Sequence, residues 1–329
     1  MEPADRDRRP LASVGSGPPS APHPLRPSPR PDEPMAWKPS NLQLRLITAA
    51  VLVPAVIGAC WNGGWTYVGV VIAFILFGLR EFYGLISAKG ATPHRLLGYI
   101  AAASLPVIAY IGDASIATSA LTATLLSLMV FQLRKQEIRE AIASVSETFF
   151  GVIYVGWLLS YAVSVRFISV ELERRFGAPV DPEVGFFFMV LCLAAVVCSD
   201  AGAYFVGRSY GRHKLAPAIS PNKSVEGAVG GVFTGGFMAL VIKAVFALFF
   251  PSQLSSELTW AAALLFGMVL AAVAVVGDLI ESLLKRDAAL KDAGDLLPGV
   301  GGVLDRIDSA LLGIPVLYYL LLAYYWTRF

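Results

Sequence analysis

The stretch 260-WAAALLFGMVLAAVAVVGDLIESLLKRDAALKDAGDLLPGVGGVLDRIDSALLGIPVLYYLLLAYYW-326 places a charged segment between two apolar runs. Residues 260–276 and 310–326 contain no charged side chain, whereas residues 277–309 hold seven carboxylates and four Lys or Arg. About 20 apolar residues are needed for a helix to cross roughly 30 Å of hydrocarbon. The pattern therefore predicts two membrane spans joined by a charged connection at the membrane boundary.

The composition extends this interpretation to the whole chain. Of the 329 residues, 56% are hydrophobic and 15% are charged, and the mean hydropathy is +0.64. Soluble domains carry about 25% charged residues, so the composition indicates an all-α, polytopic integral membrane protein. The net charge of +2 is too small to indicate a nucleic-acid partner. Cys60, Cys192 and Cys198 lie in apolar segments, which favours packing residues over a disulfide framework.

Residues 1–40 differ from the rest of the chain. They contain 11 of the 21 prolines and too little apolar sequence to offset the entropy of ordering, so this Pro-rich extension is predicted to be disordered. Met35 precedes the first apolar run closely, and translation starting there is a further hypothesis.

The remaining sequence predicts about nine transmembrane helices, because its apolar runs are long and apolar on every face. Residues 41–180 would form an N-terminal group of helices and residues 181–329 a C-terminal catalytic region. The first four runs are joined pairwise by short links, so either pair could instead be a re-entrant hairpin. The candidate spans are 44–61, 64–80, 96–112, 115–133, 148–168, 185–207, 227–250, 259–278 and 310–327.

The distribution of basic residues predicts the orientation. With nine spans and the N-terminus in the cytoplasm, 21 of the 26 Lys and Arg face the cytoplasm, four face the outside, and Lys243 lies within a span. Cytoplasmic loops are enriched in Lys and Arg. The bias therefore predicts that the charged segments 198–227 and 277–309 both face the cytoplasm, in a multi-pass protein of the inner membrane.

The segment 277–309 carries the strongest chemical signal. One helical face presents four polar residues at positions i, i+3, i+4 and i+7, namely Asp278, Glu281, Ser282 and Lys285. Asp305 and Asp308 lie three residues apart at the start of the last span. If the two helix ends converge, their carboxylates could bind Mg²⁺, which commonly bridges to phosphates. The alternative is a solvated loop with charge pairs that only stabilise a helix.

The same segment also supplies cations and a glycine turn. Gly301 and Gly302, in the turn 298-PGVGG-302, allow the backbone to approach a bound substrate closely. The four cationic side chains that could neutralise phosphate charge are Lys285, Arg286, Lys291 and Arg306. This mixture of acids and bases is what metal-assisted phosphoryl or nucleotidyl transfer requires.

A second polar segment lies at 198–231. Asp200 interrupts an apolar run, and an acid in such a place indicates either a functional site or a hydrogen bond within the bundle. In 220-SPNKSVEG-227, Ser224 is a plausible helix N-cap, and Lys223 beside it would attract an anion.

The glycines in 230-GGVFTGG-236 indicate close helix packing. Glu81, directly after an apolar run, is interpreted as a charge at the membrane interface.

Together the two segments resemble the phosphatidate cytidylyltransferase, or CDP-diacylglycerol synthase, family. The string 282-SLLKRDAALKDAGDLLPGVGGVLDRID-308 matches that family's motif, Ser-x-x-Lys-Arg, Lys-Asp, Pro-Gly-His-Gly-Gly, Asp-Arg-x-Asp, at all positions except Val300, where the motif has histidine. The string 199-SDAGAYFVGRSYGRHKLAPAISPNKSVEG-227 is similar to its other landmark. The resemblance covers about residues 44–329.

The resemblance implies a reaction of CTP with phosphatidic acid that yields CDP-diacylglycerol and pyrophosphate, next to membrane lipids. Asp278, Asp305 and Asp308 would hold Mg²⁺; a companion K⁺ and a homodimer remain open. The implied phosphate contacts are Ser282 and Lys285, with Arg286, Lys291 and Arg306 nearby. The implied substrate-binding residues on the other side of the cavity are Asp200, Lys223, Ser224 and Glu226.

Three other functions remain open on the sequence. Asp200 and Lys243 are charges of the kind that mark ion pathways in a transporter or channel, although no inverted repeat supports one. A CTP-dependent lipid kinase, or a synthase acting on another lipid phosphate, would use similar chemistry. An inactive homologue could serve as a scaffold.

Overall fold

The computed structural model describes residues 41–134, 140–177, 180–250, 257–290, 292–294 and 301–328, with the side chains of residues 41–49 excepted. Residues 40–329 form one compact unit. The predicted disorder of residues 1–40, the Met35 hypothesis, Lys291 and Val300 all lie outside the described residues.

The described chain is built almost entirely from helices. The first seven are α1 (Asn41–Asn62), α2 (Gly64–Ala88), α3 (Arg95–Ile111), α4 (Ala114–Gln132), α5 (Ala141–Gly151), α6 (Leu158–Arg166) and α7 (Ile168–Phe176). A π-helical turn, Val152–Trp157, joins α5 to α6, so the three form one continuous rod. The remaining four are α8 (Val184–Tyr210), α9 (Val225–Phe249), α10 (Trp260–Asp287) and α11 (Leu304–Trp326).

Each predicted span coincides with a helix in the structure. Within the described residues, seven helices are long and apolar enough to cross a membrane. Two further predicted spans coincide with α1, whose side chains are described only from Ala50 onward, and with α3, which is 17 residues long. The helical, multi-pass membrane fold is therefore confirmed, whereas the count of nine spans stays a prediction.

The glycine run 230–236 packs α9 tightly against its neighbours. A Cβ at Gly231 would lie 2.8 Å from the carbonyl oxygen of Ser199 in α8. One turn further along α9, a Cβ at Gly235 would lie 2.5 Å from the Cβ of Ala271 in α10. Small residues allow membrane helices to approach this closely. The predicted role of these glycines in helix packing is confirmed.

A short antiparallel hairpin interrupts the helical bundle between α8 and α9. Its strands are β1 (Lys214–Ala216) and β2 (Ser220–Ser224), with Lys214 paired to Ser224. Ser224 then begins α9 as an N-cap, because its hydroxyl oxygen accepts a hydrogen bond from the Gly227 amide at 3.1 Å. The predicted N-cap is confirmed, and the hairpin brings β2 to the ends of α10 and α11.

Candidate active site

A cavity of about 680 Å³ lies where α8, β2, α9, α10 and α11 meet. Nine charged side chains line it: Asp200, Arg208, Lys223, Asp278, Lys285, Asp292, Asp305, Arg306 and Asp308. Five are acidic and four are basic, so the wall carries a small excess of negative charge. The two polar segments of the sequence thus form one cavity, as the resemblance implies.

A salt bridge joins the two segments directly. The ammonium group of Lys223, on β2, pairs with the carboxylate of Asp278, on α10, and both side chains are partly exposed to the cavity. Asp200, from α8, lines the same wall. Lys223 and Asp200 therefore line the same cavity as Asp305 and Asp308 of α11.

Three carboxylates converge at the cavity, and two of them, Asp278 and Asp308, line it. Asp278, Glu281 and Asp308 each offer an oxygen, and these oxygens lie within 4.8 Å of one another. Glu281 is fully buried, and the Oδ1 atom of Asp308 accepts the Ser309 amide at 2.6 Å. Hard divalent cations prefer several carboxylate oxygens, so this donor set fits Mg²⁺.

Asp305 lines the cavity and accepts three hydrogen bonds. Its Oδ1 atom accepts a hydrogen bond from the Lys285 ammonium at 2.7 Å. Its Oδ2 atom accepts the amides of Gly302 at 3.0 Å and Ala293 at 3.3 Å. Asp305 therefore organises the end of the glycine turn, while Glu281 joins Asp278 and Asp308. A metal-ligand role for Asp305 stays a prediction.

Lys285 lies between two carboxylates in this arrangement. Its ammonium nitrogen is 2.5 Å from Glu281 Oε2 and 2.7 Å from Asp305 Oδ1. Removing Lys285 would leave both acids without their nearest positive charge. Lys285 therefore holds the two helix ends together in addition to facing the cavity.

The remaining predicted site residues lie either beside the cavity or at the hairpin. Ser282 donates a hydrogen bond to Asp278 at 3.3 Å, and Arg306 lines the cavity. Arg286 donates instead to the carbonyl oxygen of Ile219 at 3.4 Å, at the hairpin. The carboxylate of Glu226 accepts the His213 ring nitrogen at 2.6 Å and the Arg212 amide at 3.0 Å, so Glu226 closes the hairpin.

Glu81 is the main residue that sequence reasoning misjudged. The structure shows it only 7% exposed, and its carboxylate accepts the backbone amides of Val303 and Leu304 at 3.0 and 2.7 Å. The interpretation as an interface charge is therefore wrong. Asp292 was also missed as a cavity residue, although its place in the Lys-Asp part of the motif was a usable signal.

Lys243 does not lie in the cavity wall. Its ammonium nitrogen is 5.0 Å from the centroid of the Trp260 ring, which is the geometry of a cation–π contact. The two charges that suggested an ion pathway therefore lie in different places. Asp200 lines the cavity, whereas Lys243 packs against the start of α10.

The fold and the site define a class: a multi-pass membrane protein whose cavity brings acidic and basic side chains together at the ends of its helices. Residues 43–324 match the model of the cytidylyltransferase family. This chain belongs to that family.

Several curated proteins are similar to this chain over most of their length. A Synechocystis protein named phosphatidate cytidylyltransferase is 32% identical over 292 residues, which cover 84% of this chain and 94% of that protein. A Brucella melitensis protein of the same name is 32% identical over 286 residues, covering 85% and 93%. A Bacillus subtilis protein of that name is 38% identical over 171 residues, covering 52% and 56%.

Proposed function

We propose that this chain is a phosphatidate cytidylyltransferase, which condenses CTP with phosphatidic acid to CDP-diacylglycerol and pyrophosphate in phospholipid biosynthesis. The observation that carries the proposal is the single cavity in which the carboxylates of α10 and α11 meet the cations of β2 and α10. Family membership and the names of the relatives favour this transferase over a transporter or channel.

The reaction is a substitution at the α-phosphorus of CTP. An oxygen of the phosphatidate phosphate forms a new bond to that phosphorus, the bond to the bridging oxygen of the β-phosphate breaks, and pyrophosphate leaves with the electron pair. A phosphate monoester is already anionic near neutral pH, so no strong base is needed. The main barrier is the approach of two anions, which cationic groups lower by electrostatic stabilisation.

The side chains of the cavity suit this electrostatic task. Lys223 and Lys285 face carboxylates across the cavity, and incoming phosphate oxygens would compete for the same ammonium groups. Arg306 lines the cavity beside them. Ser282, next to Asp278, would donate a hydrogen bond to a phosphate oxygen. These residues would bind and orient the two phosphate groups.

Mg²⁺ is the cofactor proposed for this site. Asp278, Glu281 and Asp308 would hold it, because their oxygens already lie within 4.8 Å of one another. When bound, the ion supplies positive charge to phosphate oxygens and to the leaving pyrophosphate. Glu281 joins Asp278 and Asp308 in this proposed set, while a metal-ligand role for Asp305 and a companion K⁺ remain predictions.

The cavity is proposed to open to the cytoplasm from the inner membrane. The support is the distribution of basic residues, with 21 of 26 Lys and Arg on the predicted cytoplasmic side. A site at this boundary would accept CTP from water and phosphatidate from the bilayer. A homodimer stays a prediction that the mass of the detergent-solubilised protein would test.

Labelled CTP separates the proposed reaction from its nearest rivals. Purified protein is incubated in detergent with phosphatidate, Mg²⁺ and CTP labelled at either the α- or the γ-phosphate. Cytidylyl transfer puts the α-label into lipid and leaves the γ-label in pyrophosphate. A lipid kinase, supplied with a lipid alcohol in a parallel reaction, would put the γ-label into lipid and leave the α-label in CDP. An inactive homologue would label no lipid.

Matched variants connect this activity to the cavity. Asp308→Asn removes one of the three convergent carboxylates, and we expect loss of α-label transfer. Asp113→Asn is the control, because Asp113 caps α4 by accepting the Ser115 amide at 2.8 Å and is absent from the residues that line the cavity. Equal activity in both variants would contradict the placement of the site.

A further inference from the structure

Glu81 connects the N-terminal half of the chain to the start of the last helix. It lies on α2, yet its Oε1 atom accepts the Val303 amide at 3.0 Å and its Oε2 atom accepts the Leu304 amide at 2.7 Å. The first amides of a helix have no partner within that helix. A carboxylate at this end satisfies them and interacts favourably with the helix dipole. Glu81 therefore caps α11 from a distant part of the sequence.

Two glycines make room for this carboxylate. A Cβ at Gly294 would lie 2.7 Å from Glu81 Oε1, and a Cβ at Gly302 would lie 2.6 Å from Oε2. Real Cβ atoms do not approach other atoms so closely, so the carboxylate takes the space that side chains at these positions would need. The carboxylate of Glu81 thus lies against two separate points of the connection between α10 and α11.

The capped turn is the one that carries the acids of the cavity. Asp305 directly follows Leu304, and Asp308 lies one turn further along the same helix. The Gly302 amide, beside the capped residues, is also a donor to Asp305 Oδ2 at 3.0 Å. A shift at the start of α11 would therefore displace both aspartates, and displacements of about 1 Å can cost a hundredfold in rate.

We propose that Glu81 is a positioning residue of the transfer reaction. It contacts backbone amides rather than the cavity, and it holds the first turn of α11 so that Asp305 and Asp308 keep their places. The kinetic part of this inference rests on the proposed function, while the capping part stands on geometry alone. Helix α2, which belongs to the N-terminal group of helices at residues 41–180, thereby takes part in the site.

The test compares Glu81→Gln with Glu183→Gln. The glutamine side chain has the size of glutamate, but it offers only one acceptor oxygen. Its NH₂ group is turned toward the second backbone amide, which loses its acceptor. Glu183 is the matched control, because its Oε2 atom accepts a hydrogen bond from the buried Arg166 at 2.7 Å and Glu183 is absent from the residues that line the cavity.

The expected result has two parts. In Glu81→Gln, kcat for α-label transfer falls about tenfold or more, because a shift of the first turn of α11 displaces Asp305 and Asp308, while KM for phosphatidate changes little. Amide hydrogen exchange over residues 301–308 becomes at least about tenfold faster. Gly302→Ala, which forces a methyl group against the same carboxylate, gives the same pair of changes. Glu183→Gln gives neither, even at an equal loss of thermal stability.

Three outcomes would overturn the inference. The first is a normal kcat in Glu81→Gln alongside an active wild-type enzyme. The second is an equal fall of kcat in Glu183→Gln at matched stability, which would indicate general destabilisation. The third is unchanged amide exchange over residues 301–308, whatever the activity. A wild-type protein that transfers no cytidylyl group refutes the proposed function instead, and the exchange measurement still decides whether Glu81 caps α11.

Discussion

Lys285→Met removes the positive charge that two acids share at the base of the cavity, while keeping a side chain of similar length. The ammonium nitrogen lies 2.5 Å from Glu281 and 2.7 Å from Asp305. The exposed fractions of the Lys285, Glu281 and Asp305 side chains are 15%, 1% and 12%, so water screens these pairs only weakly. Removing one partner of a buried ion pair typically costs about 3–5 kcal/mol.

We therefore expect Lys285→Met to lower the free energy of unfolding by about 3 kcal/mol or more. The double variant Lys285→Met with Glu281→Gln should recover much of that loss, because a neutral amide needs no compensating charge. Lys89→Met is the control for an exposed pair, since Lys89 and its partner Asp287 are 39% and 58% exposed, and it should cost less than about 1 kcal/mol.

Stability and catalysis are measured separately in this series. Unfolding is followed in mixed detergent micelles, and α-label transfer is measured under conditions in which each variant remains folded. Both variants that lack Lys285 should lose about a hundredfold in kcat/KM, or about 2.7 kcal/mol, because the ammonium is also expected to bind phosphate. The reasoning is refuted if Lys285→Met unfolds at the wild-type midpoint, or if the double variant is less stable than the single one.

Three further predictions concern the connection, the departure from the family motif and the metal. Asp305→Ala should abolish transfer, because its carboxylate holds Lys285 and the Gly302 amide; near-normal kcat would contradict this. Val300→His should change turnover less than tenfold, about 1.4 kcal/mol, because phosphate and metal chemistry does not require an imidazole; a larger change in single-turnover rate would argue otherwise. Chelation of divalent cations should stop transfer and added Mg²⁺ should restore it, whereas full activity in excess chelator would exclude Mg²⁺ from the reaction.

Most of the fold was predictable from local sequence. Each long apolar run became a helix, since a chain in lipid must satisfy its backbone amides within the helix. The close approach of α8, α9 and α10 was predictable from the glycines at 230–236, and the start of α9 from Ser224. The number of spans was not, because a helix of 17 residues such as α3 is at the lower limit for crossing a bilayer, and its length does not decide whether it crosses.

Which residues form the site was largely predictable, whereas which of them contact one another was less so. The segment 277–309 was expected to share a cavity with the other polar segment, and its Asp278, Lys285 and Asp308 line one cavity together with Lys223. Spacing along α10 placed Glu281 on the correct face, but it could not show that Glu281 rather than Asp305 would lie closest to Asp278 and Asp308. That choice depends on how α10 and α11 pack against each other, which the spacing of residues along one helix does not give.

The sequence by itself determined that this chain is a helical membrane protein and which family it belongs to, because apolar run length and motif order are local properties. Only the tertiary structure decided which acids converge and what holds them there. The capping of α11 by Glu81 spans more than two hundred residues of sequence and follows from the packing of α2 beside the start of α11. No local pattern distinguishes such a buried cap from an ordinary charge at the end of an apolar run, because the amides that it satisfies belong to another helix.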